Sequence, residues 1–510
     1  MSKKVLSAAV LGLNCELVEV EADTLRSKPR FFIVGLPDKA VDESKERVRS
    51  AIKNSGFELP RGRITINLAP ADLRKEGPAY DLSIAISILL TSKQLFSKDF
   101  LWNKQIFIGE LALDGQLRPV NGVLSICLEA KKRGIKTIYL PKGNAAEANL
   151  VTGLEIFPCQ GLQELTDHLL GKKIMKPFVA CKFSSIQKQD SIYDMSYVKG
   201  QQHVKRALEI AAAGGHNILM SGPPGAGKTL MAKTMATILP EMTMSESLET
   251  TRIYSVAGLL PNDQPLITGR PFRSPHHTAS GVALVGGGQW PRPGEISLAH
   301  RGILFLDEFP EFPRVVLENL RQPIEDGVIS VSRASGTLQF PAKFILVAAM
   351  NPCPCGYLSD PDRNCTCMPI QILNYQKKIS GPLLDRIDLH VEVPKVKFEK
   401  LTENFDAESS SEVRKRVSIA RKVQQERFQN SDIVTNAEMS TRQTKEFCQI
   451  DKNSLELLKQ AVNQMGLSAR AYFRILKLSR TISDLSKGEG REGIKLEHVA
   501  EALQYRPKLD

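Results

Sequence analysis

Nine residues, Ser221-Gly222-Pro223-Pro224-Gly225-Ala226-Gly227-Lys228-Thr229, constrain the fold more than any other stretch of the chain. They follow a short apolar run, Asn217-Ile218-Leu219-Met220, and open into Leu230-Met231-Ala232-Lys233-Thr234-Met235, which reads as a helix. Strand, glycine loop and helix in that order, spaced G-x-x-x-x-G-K-[ST], are the requirements of a phosphate-binding loop. Gly222, Gly225 and Gly227 let the backbone approach phosphates, so that the loop through Pro223, Pro224 and Ala226 cradles them. The helix N-terminus adds a dipole that favours negative charge. Lys228 is placed to reach the β- and γ-phosphates and the Thr229 hydroxyl to ligate Mg2+. A chance glycine-rich turn would lack the flanking strand and helix. The stretch implies binding of a nucleoside triphosphate.

Hydrolysis needs further groups, and the sequence offers them downstream. Gly302-Ile303-Leu304-Phe305-Leu306-Asp307-Glu308 reads as a buried strand ending in two carboxylates. Asp307 suits the magnesium water shell and Glu308 a general base on the attacking water; the bland alternative is two acids capping a strand. A third apolar strand, Phe344 to Met350, ends at Asn351, a polar side chain expected near the γ-phosphate and water. Upstream, Asp194 to Gln201 precedes a helix that begins near His203. This set resembles the AAA+ ATPases, in which such a segment packs beside adenine and Asn351 has the role called sensor 1.

Two more segments resemble one branch of that superfamily. Leu383-Leu384-Asp385-Arg386-Ile387-Asp388 is similar to the stretch that supplies the arginine finger in the MCM and magnesium-chelatase branch. The resemblance implies that Arg386 reaches nucleotide held by a neighbouring subunit and that activity requires a ring; on spacing alone, an exposed ion-pair arginine fits equally. Leu467 to Arg474 resembles the sensor 2 helix, with Arg470 the expected residue and Arg474 the fallback. Val328 to Arg333 alternates, turns at Ala334-Ser335-Gly336 and returns through Thr337 to Phe340, a hairpin with Arg333 at its tip. In the resembled branch such hairpins, and inserts like Arg270 to Thr278 with its Arg273, line a pore and grip DNA. His276 and His277 could suit metal or acid–base work, but without a third ligand nearby they are expected to position the loop.

Cys353-Pro354-Cys355 and Cys365-Thr366-Cys367 place four thiols within fifteen residues. Paired spacing of this kind fits a tetrahedral structural Zn2+ site, with free thiols in an inert loop as the alternative. Four thiolates leave no open position, so a metal there would stiffen the loop after Asn351 and would not catalyse.

The region before the phosphate loop alternates strand-like and helix-like segments, with strands expected at 31–35, 64–68, 105–108 and 137–140 and helices at 42–56, 81–90 and 124–133. Three phrases, Arg74 to Asp81, Gly109 to Gly115 and Arg133 to Pro141, resemble the proteolytic domain of Lon, of ribosomal-S5-like fold. That family carries a serine–lysine dyad. Here Ala79 stands where the nucleophile after Gly-Pro would be, and Leu124 to Ala130 has no lysine. Without nucleophile and activating base there is no covalent catalysis; a scaffold for assembly or DNA contact is expected.

At 510 residues the chain has room for three or four domains. The expected divisions are 1–170 (Lon-like), 171–190 (basic linker), 191–400 (ATPase core) and 401–510 (helical lid). The fold class is thus α/β, an AAA+ P-loop core with a helical lid, behind an α+β Lon-like domain. A net charge of +12 fits a polyanionic partner. Nine cysteines do not form a secreted disulfide framework. Neither a signal-peptide core nor a membrane-length apolar run is present, so the expectation is a cytoplasmic protein without a membrane partner.

As a set these motifs cover nearly the whole chain and resemble the ComM/YifB family of bacterial competence proteins. The resemblance implies a homo-hexameric ATPase that translocates on single-stranded and branched DNA. It would drive branch migration as a helicase during natural transformation and homologous recombination. The rivals are a magnesium chelatase ATPase subunit, a protein-remodelling AAA+ scaffold without DNA, and a Lon-like protease that would need the missing serine.

Overall fold

Two strands with no counterpart in those expectations open the fold. Lys4–Leu11 (β1) and Asn14–Leu25 (β2) pair antiparallel from Lys4↔Glu21 to Leu11↔Asn14, across a turn in which Gly12 takes a φ of 60°. In the computed structural model, residues 4–96, 102–179, 192–261, 264–288, 292–333, 336–358, 360, 362–396, 408–429, 431, 433–486 and 493–506 are described. Arg30–Val34 (β3), Arg63–Ala69 (β4), Gln105–Phe107 (β5), Thr137–Pro141 (β6) and Glu155–Cys159 (β7) complete a mixed sheet ordered β3-β4-β2-β1-β5-β6-β7. Four of these strands fall where the alternation predicts them. The central strands β1 and β2 and the edge strand β7 have no counterpart in those expectations.

Helices cover this sheet unequally. Lys39–Asn54, Asp81–Thr91 and Leu162–Leu169 bury Val48, Ile52, Leu82, Leu89 and Leu165 on one face, against Val18, Val20, Ile64 and Ile66. Val123–Lys132 packs Leu124, Ile126 and Cys127 on the other face, over Leu6, Ala8, Ile106 and Ile138. The Lon-like reading carries through to the geometry. Ala79 lies in the short turn Pro78–Tyr80, and the helix Val123–Lys132 has its lysines, Lys131 and Lys132, only in the last turn.

The chain divides into two compact units, 1–187 with 247–267, and 188–246 with 268–510. This differs from the expected division at two places. Residues 247–267, read as part of the ATPase core, complete the N-terminal unit. Leu248 packs on the Leu124 cluster, the Ser255 hydroxyl donates to Glu147 Oε1 (2.5 Å), and Arg252 Nε donates to Ser125 Oγ (3.0 Å). The lid, read as a domain of its own, shares one unit with the core. Its helix Ser410–Arg427 buries Val413, Val417 and Ala420 in the same cluster as Ile210, Met231 and Met235. Arg421 Nη2 and Gln424 Nε2 also donate to the carbonyls of Ala212 (2.9 Å) and Ala213 (3.1 Å). From residue 180 onward the expected linker, 171–190, lies outside the described residues.

The second unit is built on a parallel sheet of Ile218–Ser221 (β8), Phe272–Arg273 (β9), Ile303–Leu306 (β10), Ile345–Met350 (β13) and Leu389–Glu392 (β14), ordered β9-β10-β13-β8-β14. Between β10 and β13 in sequence, Val328–Arg333 (β11) and Gly336–Pro341 (β12) form the expected hairpin, from Val328↔Pro341 to Arg333↔Gly336. Strands β10 and β13 are buried along their whole length, which explains their continuous apolar sequences. Because β13 separates β8 from β10, the ends of three strands converge beside one loop. No helix among the described residues is long and apolar enough to cross a membrane.

Candidate functional site

The phosphate loop sits at the carboxyl end of β8, where ligands bind in open parallel sheets. Gly222 is pressed against the strand-end backbone: a Cβ there would lie 2.2 Å from the Val393 carbonyl oxygen, so no larger residue fits. Gly225 and Gly227 take φ of 76° and 87°, turning the chain into the helix Lys228–Ile238. That helix starts without a side-chain cap, which leaves its first amides for an anion.

The candidate catalytic side chains meet here. Lys228 Nζ donates to the carbonyls of Gly222 (2.6 Å) and Pro223 (3.0 Å) and to Asn351 Oδ1 (3.1 Å). Burial pulls the Lys228 pKa down and the Asp307 carboxylate opposes the shift. Thr229 Oγ1 donates to Asp307 Oδ2 at 2.8 Å. The hydroxyl and carboxylate assigned to magnesium on sequence grounds are therefore neighbours, an oxygen pair of the kind Mg2+ takes from protein while keeping its waters. Lys228, Thr229, Asp307 and Asn351, up to 123 residues apart in sequence, form one constellation.

Glu308 stands at the next position in an unusual backbone state. Its φ is 51°, left-handed for a residue with a Cβ, a conformation that costs energy and concentrates at functional sites. Its carboxylate is engaged by His277, Nδ1 to Oε2 at 3.2 Å. This pairing refines the reading of the two histidines: His277 packs against His276 (ring centroids 4.1 Å) and touches the candidate general base. Sequence could not supply it, since 31 residues separate the partners and no spacing rule links them. Among the described residues, neither histidine belongs to a group that could hold a metal.

The arginines divide. Arg386 is buried, with Nη2 2.8 Å from Glu325 and Nη1 donating to the Pro382 carbonyl. Arg470, largely exposed, approaches the same Glu325 at 3.5 Å. Neither bonds to the phosphate loop of its own chain. Burial raises the Glu325 pKa, but the pairing with Arg386, helped by Arg470 and Arg474, outweighs it and holds the carboxyl below its usual range. The fallback Arg474 is committed to Asp388 (2.7 Å) and the Arg386 carbonyl. Arg273 is gripped by Glu295 through two bonds of 2.6 and 2.7 Å, so the guanidinium expected to meet DNA is occupied within the chain. The side chain of Arg333 lies outside the described residues.

The four cysteines come together as their spacing predicts. Cys353, Cys355, Cys365 and Cys367 hold their sulfurs within 4.8 Å of one another, with individual separations of 3.3, 3.6 and 3.7 Å. A tetrahedral ion with metal–sulfur bonds of about 2.3 Å needs sulfurs roughly 3.8 Å apart, so the donor set fits Zn2+. The loop also reaches the nucleotide site: a Cβ on Gly356 would lie 2.7 Å from Pro224 Cδ.

Fold and site together define a P-loop protein of the AAA+ class. Three family models match in succession: "Subunit ChlI of Mg-chelatase" over residues 20–144, "Magnesium chelatase, subunit ChlI" over 194–401, and "Magnesium chelatase, subunit ChlI C-terminal" over 407–506. Competence protein ComM of Haemophilus influenzae is 46% identical over 508 residues, covering 98% of this chain and 97% of that one. YifB of Escherichia coli is 44% identical, with coverages of 98% and 96%. Lon protease of Koribacter versatilis is 28% identical over 138 residues, 25% of this chain and 16% of the protease. The chain belongs to the ComM/YifB family of magnesium-chelatase-like AAA+ proteins.

Proposed function

We propose that the protein is an ATP-driven DNA translocase or helicase that works as a homo-hexameric ring, driving branch migration as single-stranded DNA is integrated during transformation and homologous recombination. The observation that carries the ATPase part is the constellation of Lys228, Thr229, Asp307 and Asn351, joined by bonds of 2.8 and 3.1 Å. Lys228 and the loop amides bind the triphosphate, Asn351 orients Lys228, and Glu308 takes the proton from the attacking water. Thr229 and Asp307 would hold Mg2+, which would supply positive charge against the phosphate oxygens. Arg386 and Arg470, sharing Glu325 and free of their own phosphate loop, support a site completed by the next subunit. Zinc in the cysteine loop would brace the backbone that rests on Pro224. The DNA part draws on the likeness to a competence protein and on the net charge of +12.

A second reading, an ATPase subunit that serves a chelatase partner, is favoured by the descriptions of the matching family models. One experiment separates the two. ATP hydrolysis is measured with and without single-stranded DNA and a three-stranded branched substrate, with strand displacement scored alongside. Stimulation by DNA with displacement abolished in Lys228→Ala supports the motor. Hydrolysis indifferent to DNA, with no displacement, overturns it in favour of the chelatase-like reading.

A further inference from the structure

The N-terminal sheet is one layer short at one end, and cations crowd one rim of the open face. On β3, β4 and β2 the inward-facing residues Ile33, Ile64, Ile66, Val20 and Ala22 are buried beneath helices. The alternate residues face solvent in registered rows: Arg30, Arg63 and Leu25, then Phe32, Thr65 and Asp23, then Val34, Asn67 and Glu21. The helix Val123–Lys132 packs on this face over β1, β5, β6 and the first part of β2, at Cys15 and Leu17, and not over the rows formed by β3, β4 and the far end of β2.

Five cations gather at the first row. Arg30 and Arg63 are cross-strand partners, and Arg26 and Lys28 lie in the turn between β2 and β3. Arg61 is brought to them by Gly62: its φ is 121°, and a Cβ there would lie 2.2 Å from the Leu25 carbonyl oxygen and 3.1 Å from Ser27 N. All five are exposed, and among the described residues none is in an ion pair. The acids on the same face lie one strand further in, and Lys4 engages two of them, Glu19 (2.6 Å) and Glu21 (3.7 Å). Beside the cations are apolar groups: half-buried Phe32, with the Arg63 guanidinium 4.7 Å from its ring centroid, and exposed Leu25 and Val34.

We propose that this face binds single-stranded nucleic acid, with Arg26, Lys28, Arg30 and Arg61 on phosphates and the Arg63–Phe32 pair stacking a base. Unpaired cations clustered on one rim give the charge complementarity that a phosphate backbone requires. A sheet face left uncovered around an aromatic ring offers what a splayed base stacks on, which a duplex does not present. The inference rests on the DNA reading above for its class of partner, and it gives the N-terminal unit a role that needs no protease chemistry.

The test is fluorescence anisotropy of a labelled 20-nucleotide oligo-dT on the full chain, titrated at several salt concentrations. The proteins are wild type, Arg26→Gln/Lys28→Gln/Arg61→Gln and Phe32→Ala. The triple variant is expected to lower the salt slope of log K by about 2, at roughly 0.7 per lost contact on a single strand, with DNA-independent ATP hydrolysis unchanged. Phe32→Ala is expected to weaken binding about fivefold or more. Wild-type binding with the same slope in the triple variant overturns this proposal and leaves the motor reading standing. Equal losses on duplex and single strand overturn the single-strand assignment. No wild-type binding to any DNA overturns both proposals.

Discussion

Each unit contains a glycine–proline loop that leads into a buried helix without a side-chain cap, and the two loops have opposite fates. At Gly222–Gly227 the helix amides are left open, and Lys228, Thr229, Asp307 and Asn351 converge around them. At Gly77–Pro78 the next residue is the inert Ala79, and the positive end of the helix Asp81–Thr91 receives an anion from the chain itself. That anion is Asp81, buried, bonded by Arg47 at 2.7 and 3.1 Å and by the Leu111 amide at 3.2 Å. The same loop-to-helix form is a ligand site in one unit and a structural joint in the other. What separates them is which side chains meet at the helix end, not the backbone that brings them there.

The comparison can be broken most sharply at the first loop. Lys228→Ala is expected to abolish nucleotide binding. Glu308→Gln is expected to keep binding but lower turnover by about 10²–10⁴-fold, the usual worth of a general base. Fluorescent-nucleotide titration beside steady-state hydrolysis checks both, and wild-type turnover in either variant would refute the site. Arg386→Ala is expected to bind ATP normally and hydrolyse it at least tenfold more slowly. Mixing it with Lys228→Ala should restore part of the activity if the finger acts on a neighbour; additive loss without rescue would place Arg386 within its own subunit.

Smaller effects sharpen the contrast. Elemental analysis is expected to give about one zinc per chain. Cys353→Ser should lose it together with several-fold in ATP affinity, because Gly356 rests on Pro224; a metal-free protein with wild-type affinity would remove the brace. At the second loop, burial outweighs the Arg47 pairing and raises the Asp81 pKa to about 6. A carboxyl whose folded pKa is raised keeps its proton longer in the folded state. The N-terminal unit should therefore lose stability as pH rises from about 4 to about 6 and change little above, by an amount on the order of 3 kcal/mol. Thermal unfolding across that range, compared with Asp81→Asn, tests it, and a flat profile would refute it. Ala79→Ser is expected to do least, giving no peptidase activity, since no lysine stands on the Leu124 to Ala130 turns to activate the hydroxyl.

Much of the second unit was legible because its motifs are local. A glycine loop, an apolar strand ending in acids and a polar strand end each fit within ten residues, and the sheet order then brings them together. The four thiols were legible for the same reason. What escaped needed long-range information. The Glu308–His277 contact joins two loops that no periodicity connects. Strands β1 and β2 carry Ser7, Glu16, Glu19 and Glu21 among their apolar residues, and their pairing becomes evident only from the sheet that completes them. Arg273 reads from the sequence as a cation for DNA, but Glu295, 22 residues away, claims it.

The helix Met244–Ala257 begins in the ATPase unit, and from Ser247 onward its residues belong to the N-terminal one. That sets an order of manufacture. The first 187 residues leave the ribosome without Leu248, Arg252 and Ser255, the partners of the Leu124 cluster, Ser125 and Glu147 in the finished unit. The phosphate loop is synthesised before the older-emerging fold can close over its final piece. A gene fragment ending at the linker would encode an unfinished object, and recombination that exchanged one half of this gene for a distant relative's would hand each half a stranger's part. The two units are separable to the eye and inseparable in inheritance.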